Sequence, residues 1–513
     1  MLNANDFPPL PSQRARRRTG AQGRAHTSVR ARVNGVAASI NDLPDELWIE
    51  ILDYVPALDL KDFQLPTLAN LSRVNKRINS LVIERLYAGY NSFFCEPYLF
   101  LRTVMAKPWL AENVRSMQIS YGPRVHEDRK RYTPSVTDRR TIKDSLKAMD
   151  IPGWKAWATD CNDDEVEREL LYATILMYTP NITELIIDDG ELSYRIPKWL
   201  DILRWTVSGG RLGHVHRFLQ LKTLRIDIGY LKLRHLAPIF KLPGLNTVSL
   251  TGLVDIGRVE RGKPDALRRL LPIGTCLVEN FSVHKAFVDD RILDVLLQCF
   301  RSLKHFEFSH TDELYPEDRD ARERTSFSNL NRSLGRHRLT LVGLSLHDII
   351  IDNYYHKSPG LMGDLSQFKK LTHLEISSNT LVHVHDSSPT ISAENLPPSI
   401  TSLVVFLTTD EREHNCLEAL IHLASQSRHV LPLLKEVRIE VEDRFAKLKK
   451  YDWERLRRLW ADVDVALVVK IEDEDEDDGD DDEDFVWHGS VRNDVDEDTE
   501  SEVESDEESL YSS

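Results

Sequence analysis

The sequence has 513 residues, 41% of them hydrophobic, with 82 acidic against 66 basic side chains and a formal net charge of -16. That length holds more than one domain or one extended repeat domain, and no apolar run approaches a membrane span. The N-terminus has no apolar signal core, and neither a membrane nor nucleic acid is an expected partner. The charge is uneven: residues 1–40 carry seven Arg and one Asp, and residues 472–513 carry 22 acidic residues against Arg492, which leaves the middle close to neutral. Five cysteines, Cys95, Cys161, Cys276, Cys299 and Cys416, form no paired motif. They read as reduced thiols of an intracellular protein in the cytoplasm, the nucleus or both.

Residues 1–39 are rich in Pro, Arg, Ala, Ser and Gly and poor in core-forming side chains. Such a composition predicts a disordered basic N-terminus. The cluster Arg14, Arg16, Arg17 and Arg18 fits a nuclear address, a weak nucleic-acid contact, a transit peptide or a solubilising tail.

From residue 40 to 90 the pattern becomes helical. Leu43 and Pro44 precede Leu47, Trp48, Ile51, Leu52 and Val55, an apolar stripe of helical period. Asn41 or Asp42 can cap this helix, and Pro44 suits its first turn. A second helix is predicted with Leu68, Leu71, Val74, Ile78 and Leu81 on one face, its start marked by Pro66 and Thr67. A third short helix runs through Glu84, Leu86 and Tyr87. Three short helices cannot bury all these side chains against one another, so something outside them must cover the rest.

The segment resembles an F-box, the motif by which substrate receptors dock onto the Skp adaptor of cullin-based ubiquitin ligases. The resemblance lies in Leu43, Pro44, Glu46, Leu47, Ile51, Leu60, Leu68, Leu71, the run Val74 to Arg77, and Leu81. The join around Pro56 to Thr67 is longer than is usual in that family. The resemblance implies adaptor contacts at Leu43, Pro44, Leu47, Ile51, Leu60, Leu68, Leu71, Val74 and Leu81. It also implies a cullin reached through the adaptor, a protein substrate, no cofactor, and a non-catalytic role for the chain.

Beyond residue 90 a short pattern recurs: apolar, two variable, apolar, one variable, apolar. Its middle residues are Met117, Leu185, Leu224, Val248, Phe281, Phe306, Leu344, Leu374, Leu403 and Val437. The last two apolar positions alternate with polar ones, as in a half-buried strand. Helical stretches are predicted between the strands at Glu165–Met177, Asp290–Phe300 and Cys416–Ser425. Strand and helix in alternation predict an α/β fold. The pattern is similar to leucine-rich repeats, and most like irregular ones of fungal F-box proteins. That resemblance implies a solenoid over residues 91–470, a curved parallel sheet with outer helices; the alternative is a non-repeat α/β domain. After the first gap the spacings run from 24 to 39 residues, which points to insertions. The charged insert 122–160 and the stretch Thr311–Thr325 are expected as loops. Val463, Val465, Leu467 and Val469 are expected to end the repeat domain.

Period-two geometry puts the residues beside each middle position on the opposite, concave face. Arg225, His305, Glu307, His373, Glu375 and Arg438 are thereby candidate substrate-binding residues. The alternate histidines His214 and His216, and His383 and His385, lack further ligands nearby, and no metal site is expected. No phosphate-cradling loop or nucleophile elbow is present.

The acidic tail, residues 471–513, is predicted to be disordered. It is either a solubilising tail or a docking site for basic proteins. The second option supports an alternative function: an acidic leucine-rich nuclear protein that chaperones histones or other basic proteins through its tail.

Overall fold

The structure, a computed structural model, describes residues 43–55, 61–121, 132–151, 153–163, 166–188, 196–207, 218–227, 232–255, 263–311, 326–349, 360–385, 388–407, 413–441 and 453–471. The expected basic N-terminus, Leu60, residues 122–131, His214, His216, residues 312–325 and the tail beyond Ile471 lie outside the described residues. The chain divides into two compact units, 1–229 with 241–245 and 230–240 with 246–513. Both are of α/β type.

The first unit opens with α1 (Asp45–Tyr54), α2 (Lys61–Leu71) and α3 (Lys76–Leu86). Asp45 and Glu46 lie in the first turn of α1, where negative charge suits the helix dipole. The sequence placed Leu68 to Leu81 on one helix; the structure corrects this to two. The side chain of Asn75 accepts the Ile78 N–H at 2.8 Å and caps α3, so the turn of residues 72–75 separates α2 from α3. Pro66 lies inside α2 rather than at its start. Trp48, Leu52, Val55, Leu68, Ile78 and Val82 form the buried core of the three helices, with Leu43, Leu71, Leu81 and Leu86 packed on its margin.

There follow β1 (Gly89–Asn91), α4 (Pro97–Ala106), α5 (Pro108–Ala111), β2 (Ser116–Ser120), α6 (Val136–Met149), α7 (Trp154–Cys161), α8 (Arg168–Tyr178), β3 (Glu184–Asp188), α9 (Lys198–Val207) and β4 (Thr223–Asp227). The four strands are parallel and in sequence order, with Tyr90, Met117, Leu185 and Leu224 in one row. The later part of the charged insert is helical rather than a loop. Ser135 and Asp138 form a capping box at the start of α6, whose Ile142 and Leu146 are buried. The Trp157 indole of α7 donates to Thr174 Oγ1 of α8 at 2.7 Å.

The second unit runs α10 (Leu233–Leu236), β5 (Thr247–Thr251), β6 (Val254–Asp255), α11 (Lys263–Leu270), β7 (Asn280–Val288), α12 (Asp290–Cys299), β8 (His305–Thr311), α13 (Phe327–Leu334), β9 (Gly343–Ile349), β10 (His373–Ser377) and α14 (Ser378–Leu381). It closes with β11 (His383–His385), β12 (Ser388–Thr390), β13 (Ser402–Leu407), α15 (Glu413–Val430), β14 (Glu436–Val441), α16 (Trp453–Ala461) and β15 (Ala466–Ile471). Eight strands are parallel in the order β5, β7, β8, β9, β10, β13, β14, β15. Val248, Phe281, Phe306, Leu344, Leu374, Leu403, Val437 and Leu467 stand in one row across them. In both units each middle apolar residue of the sequence pattern aligns with the middle residue of its neighbour.

These residues and those two places on are buried, except Leu467 and Val469 of the terminal strand β15, which are half-buried, and the helices cover that face. Phe281 meets Phe300 at the end of α12 with ring centroids 4.9 Å apart, and Phe308 meets Phe327 of α13 edge-on at 6.4 Å. Aromatic pairs at such distances add to the area they bury. β11 and β12 form a small antiparallel hairpin that the sequence pattern did not signal. Val463 and Val465 precede β15 rather than belonging to it.

Candidate protein-docking surfaces

Helix α1 has two apolar faces. Trp48, Leu52 and Val55 point into the core at helical spacing. Leu47, Ile51 and Tyr54, at the same spacing on the other side, are 44%, 45% and 65% exposed. Val74, in the turn before α3, is 57% exposed, and Ile49 is exposed as well. An exposed Leu is ordinary by itself, but an apolar stripe on a short helix is not.

Two arginines fix α3 against α1. Arg77 Nε donates to Asp45 Oδ1 at 2.7 Å, and its Nη2 donates to the Leu43 carbonyl at 2.6 Å. Arg85 pairs with Asp53 one helical stretch further on. The guanidinium groups thus tie the ends of α1 to α3 while its outer apolar stripe stays bare.

The nine residues expected at the adaptor divide into groups. Leu47, Ile51, Val74 and Pro44 are exposed together, whereas Leu43, Leu71 and Leu81 are half-buried on the core margin. Leu68 is 7% exposed and belongs to the inner core, because α2 turns it towards Trp48 and Leu52. Leu60 lies outside the described residues. Ile49 and Tyr54 were missed by the sequence reading. Tyr54 was signalled by its place seven residues after Leu47.

The second surface is the sheet face of the second unit that the helices leave uncovered. His305, Gly343, His373, Ser402 and Glu436 form one row across β8, β9, β10, β13 and β14. The next row is Glu307, Ser345, Glu375, Val404 and Arg438. Five of the six predicted substrate-binding residues therefore share this face. The sixth, Arg225, lies on β4 of the first unit, 4.0 Å from Glu184.

Polar contacts organise the face. The His305 ring lies over Gly343, where a Cβ would meet Nδ1 at 2.6 Å. His284 Nδ1 is 3.7 Å from Glu307 Oε1. Arg438 Nη2 donates to Glu436 Oε1 at 2.8 Å. His347 shares a hydrogen bond of 2.7 Å with Ser345 Oγ and lies tilted against Phe406 with ring centroids 4.3 Å apart. Burial holds the His347 pKa down, with Glu375 opposing and His284 adding to the shift. Burial also lowers that of His305, helped by His373 and Lys304. Both rings are therefore biased to the neutral form, which both donates and accepts. His284, His347 and Phe406 were missed by the sequence reading, although period-two counting one step further along each strand reaches them.

The insert helices line a third feature, an open cleft of about 670 Å³ with Arg139, Lys143, Trp154 and Lys155 in its wall. Lys155 Nζ sits 5.9 Å from the Trp154 ring centroid. Among the described residues no group of three or more His, Cys, Asp or Glu side chains is placed to hold a metal ion. No helix among them is long and apolar enough to cross a membrane.

Residues 40–85 match the F-box domain family, which spans α1, α2 and nearly all of α3. No curated protein matches the chain.

Proposed function

Because residues 40–85 carry an F-box domain, we propose that the protein is the substrate-recognition subunit of a Skp–cullin–F-box ubiquitin ligase. F-box proteins are generally substrate receptors of such ligases and dock on a Skp-type adaptor. The observation that carries the reading is the bare stripe of Leu47, Ile51 and Tyr54 with Val74 beside it, inside the matched segment. A helix with one face in its own core and an equally apolar face outside suits helix-in-groove docking. The chain's contribution is proximity: it holds a substrate near a ubiquitin-loaded enzyme.

Within each unit the strand–helix pairs are of irregular leucine-rich-repeat type. The in-register rows of middle apolar residues support this reading. The uncovered sheet face of the second unit receives the substrate. Its neutral imidazoles and carboxylates favour hydrogen bonding to a peptide segment.

Co-purification with a Skp-type adaptor tests the reading. Leu47→Ala/Ile51→Ala removes two exposed side chains and leaves the core intact. The wild type is expected to retain the adaptor and the variant to lose it, with unchanged circular dichroism. Equal retention by both proteins refutes docking through α1. Absence of adaptor from both, with histones retained only while 472–513 are present, favours the acidic chaperone alternative.

A further inference from the structure

On the helical side of the second unit, α11, α12 and α13 enclose a cleft of about 580 Å³. Four guanidinium groups line it, those of Arg268, Arg291, Arg332 and Arg336, together with the carboxylates of Asp290 and Asp294. The carboxylates are already engaged by neutral donors. Asp290 accepts the Ser326 N–H and the Asn329 amide, each at 2.7 Å. Asp294 accepts the Gln298 amide and the Ser333 hydroxyl, each at 2.8 Å.

The arginines are not equally engaged. Arg291 is paired with Asp289 at 2.8 Å, and Arg268 lies 3.6 Å from both Asp265 and Asp294. Arg332 and Arg336 are exposed, and their guanidinium groups make no hydrogen bond or ion pair with any described residue. They stand one helical turn apart, and Arg336 lies against Gly274, where a Cβ would meet its Nη2 at 2.9 Å. Like charges one turn apart repel, and an anion between them removes that repulsion.

A polyanion begins directly after β15 in the same unit. Residues 472–513 carry 22 acidic side chains and a single basic one, Arg492. In the sheet order β15 is five strands from β8, which α12 precedes and α13 follows. At about 4.8 Å per strand that is roughly 24 Å. A 42-residue segment reaches about 140 Å when extended, so the span leaves ample slack. Tethering at such a distance gives an effective concentration in the millimolar range.

We propose that the acidic segment 472–513 docks within its own chain on the cleft of α11, α12 and α13, with Arg332 and Arg336 as its principal contacts. The segment thereby covers the helical side of the unit and leaves the opposite sheet face open. A more strongly charged ligand, such as a phosphorylated acidic peptide, would compete for the same two guanidinium groups.

Photo-crosslinking of the full-length protein tests this. Gln298, at the cleft wall, is replaced by a photoreactive phenylalanine analogue, and isotopically light and heavy chains are mixed before irradiation. The expected products join position 298 to residues 472–513 of the same chain. They disappear at about 1 M salt, where screening shortens to about 3 Å. They also disappear in Arg332→Glu/Arg336→Glu, whose melting temperature is expected to match the parent at about pH 7.5, where His337 is neutral and neither guanidinium has a hydrogen-bond or ion-pair partner to lose. Neutralising the twelve acids between 472 and 484 leaves the cleft untouched and is expected to reduce the products at least fivefold. Crosslinks that survive charge reversal, that join two copies, or that never reach the segment overturn the proposal.

Discussion

The F-box segment and the second unit use apolar residues in opposite ways. In α1 the inward Trp48 and Leu52 are matched by an outward Leu47 and Ile51 of similar size. In the strands of the second unit the inward residues are Phe, Leu and Val, while the outward ones at the same spacing are mostly His, Glu, Ser and Arg. The helices of the second unit cover the apolar side of its sheet and leave a largely polar face. The F-box segment leaves apolar surface for another molecule to cover. On the proposed function, the F-box surface meets a constant partner and the sheet face a variable one.

The sharpest way to break the comparison is to attack the self-sufficient core. Phe306 is stacked on Phe281 at 6.0 Å and on Phe308 at 6.4 Å, and is 1% exposed. Phe306→Ala is expected to destabilise the second unit by about 3–5 kcal/mol, read by urea unfolding. Adaptor binding should survive below the unfolding midpoint, since the F-box segment belongs to the first unit. Loss of adaptor binding while the unit remains folded would contradict that independence.

The two faces of α1 give the next largest contrast. Leu52→Ala empties a fully buried site and is expected to cost about 2–5 kcal/mol. Leu47→Ala and Ile51→Ala, both exposed, are expected to change stability by no more than about 0.5 kcal/mol. Each should still weaken adaptor binding by about 2 kcal/mol if it is a central anchor. Calorimetry of binding beside thermal melts separates the two effects. Equal stability losses at Leu52 and Ile51 would erase the distinction between the faces.

Much of this contrast was legible in the sequence, for physical reasons. Met117 to Val437 could be aligned because a buried row across a sheet demands an apolar residue in every strand. The register then followed from period two, which is why His305, Glu307, His373 and Glu375 were found on one face. The failures are equally specific. Asn75 breaks what reads as one apolar stripe from Leu68 to Leu81, since a side-chain cap carries no hydrophobic signal. Leu68 fits an adaptor contact by spacing, yet α2 aims it inward. The charged segment around α6 reads as a loop, although Ile142 and Leu146 suffice to bury one side of that helix. Rings such as His347 and Phe406 come together from strands 59 residues apart in sequence, and no local pattern reports that contact.

A buried histidine links the second unit's stability to pH. His337 is 1% exposed, and its Nε2 lies 3.0 Å from the Leu297 carbonyl. The Leu303 N–H donates to its Nδ1 at 3.3 Å. Those two contacts fix the neutral tautomer with the proton on Nε2, because Nδ1 must accept. Burial lowers the folded pKa below the ordinary 6.5, and nearby Arg336 lowers it further against the Leu297 bond. A lowered pKa means that the unfolded chain binds the proton more readily. Stability is therefore intact above pH 6.5 and falls as pH drops through that value towards the folded pKa. Protonation turns the Leu303 contact into two facing donors, at a cost of about 1–3 kcal/mol. Thermal melts from about pH 7.5 to about pH 5.5 should show a steeper fall for the wild type than for His337→Gln. Parallel curves would mean that His305 and His347 carry the whole dependence.

The smallest expected effect concerns the clamp between α1 and α3. Arg77 reaches both Asp45 and the Leu43 carbonyl, but its side chain is 41% exposed and that of Asp45 is 52%. Water screens such a pair, so Arg77→Ala is expected to cost no more than about 1 kcal/mol. The effect on docking should exceed the effect on stability. Leu43 and Pro44 sit beside the bare stripe, and the guanidinium fixes where the chain enters α1. Freeing that segment adds an ordering cost to each docking event. Arg77→Lys keeps the charge but loses the fork that spans two acceptors, so it should behave like Arg77→Ala. If Lys restores adaptor affinity fully, charge alone positions the segment, and the carbonyl contact to Leu43 contributes nothing to presenting the apolar face.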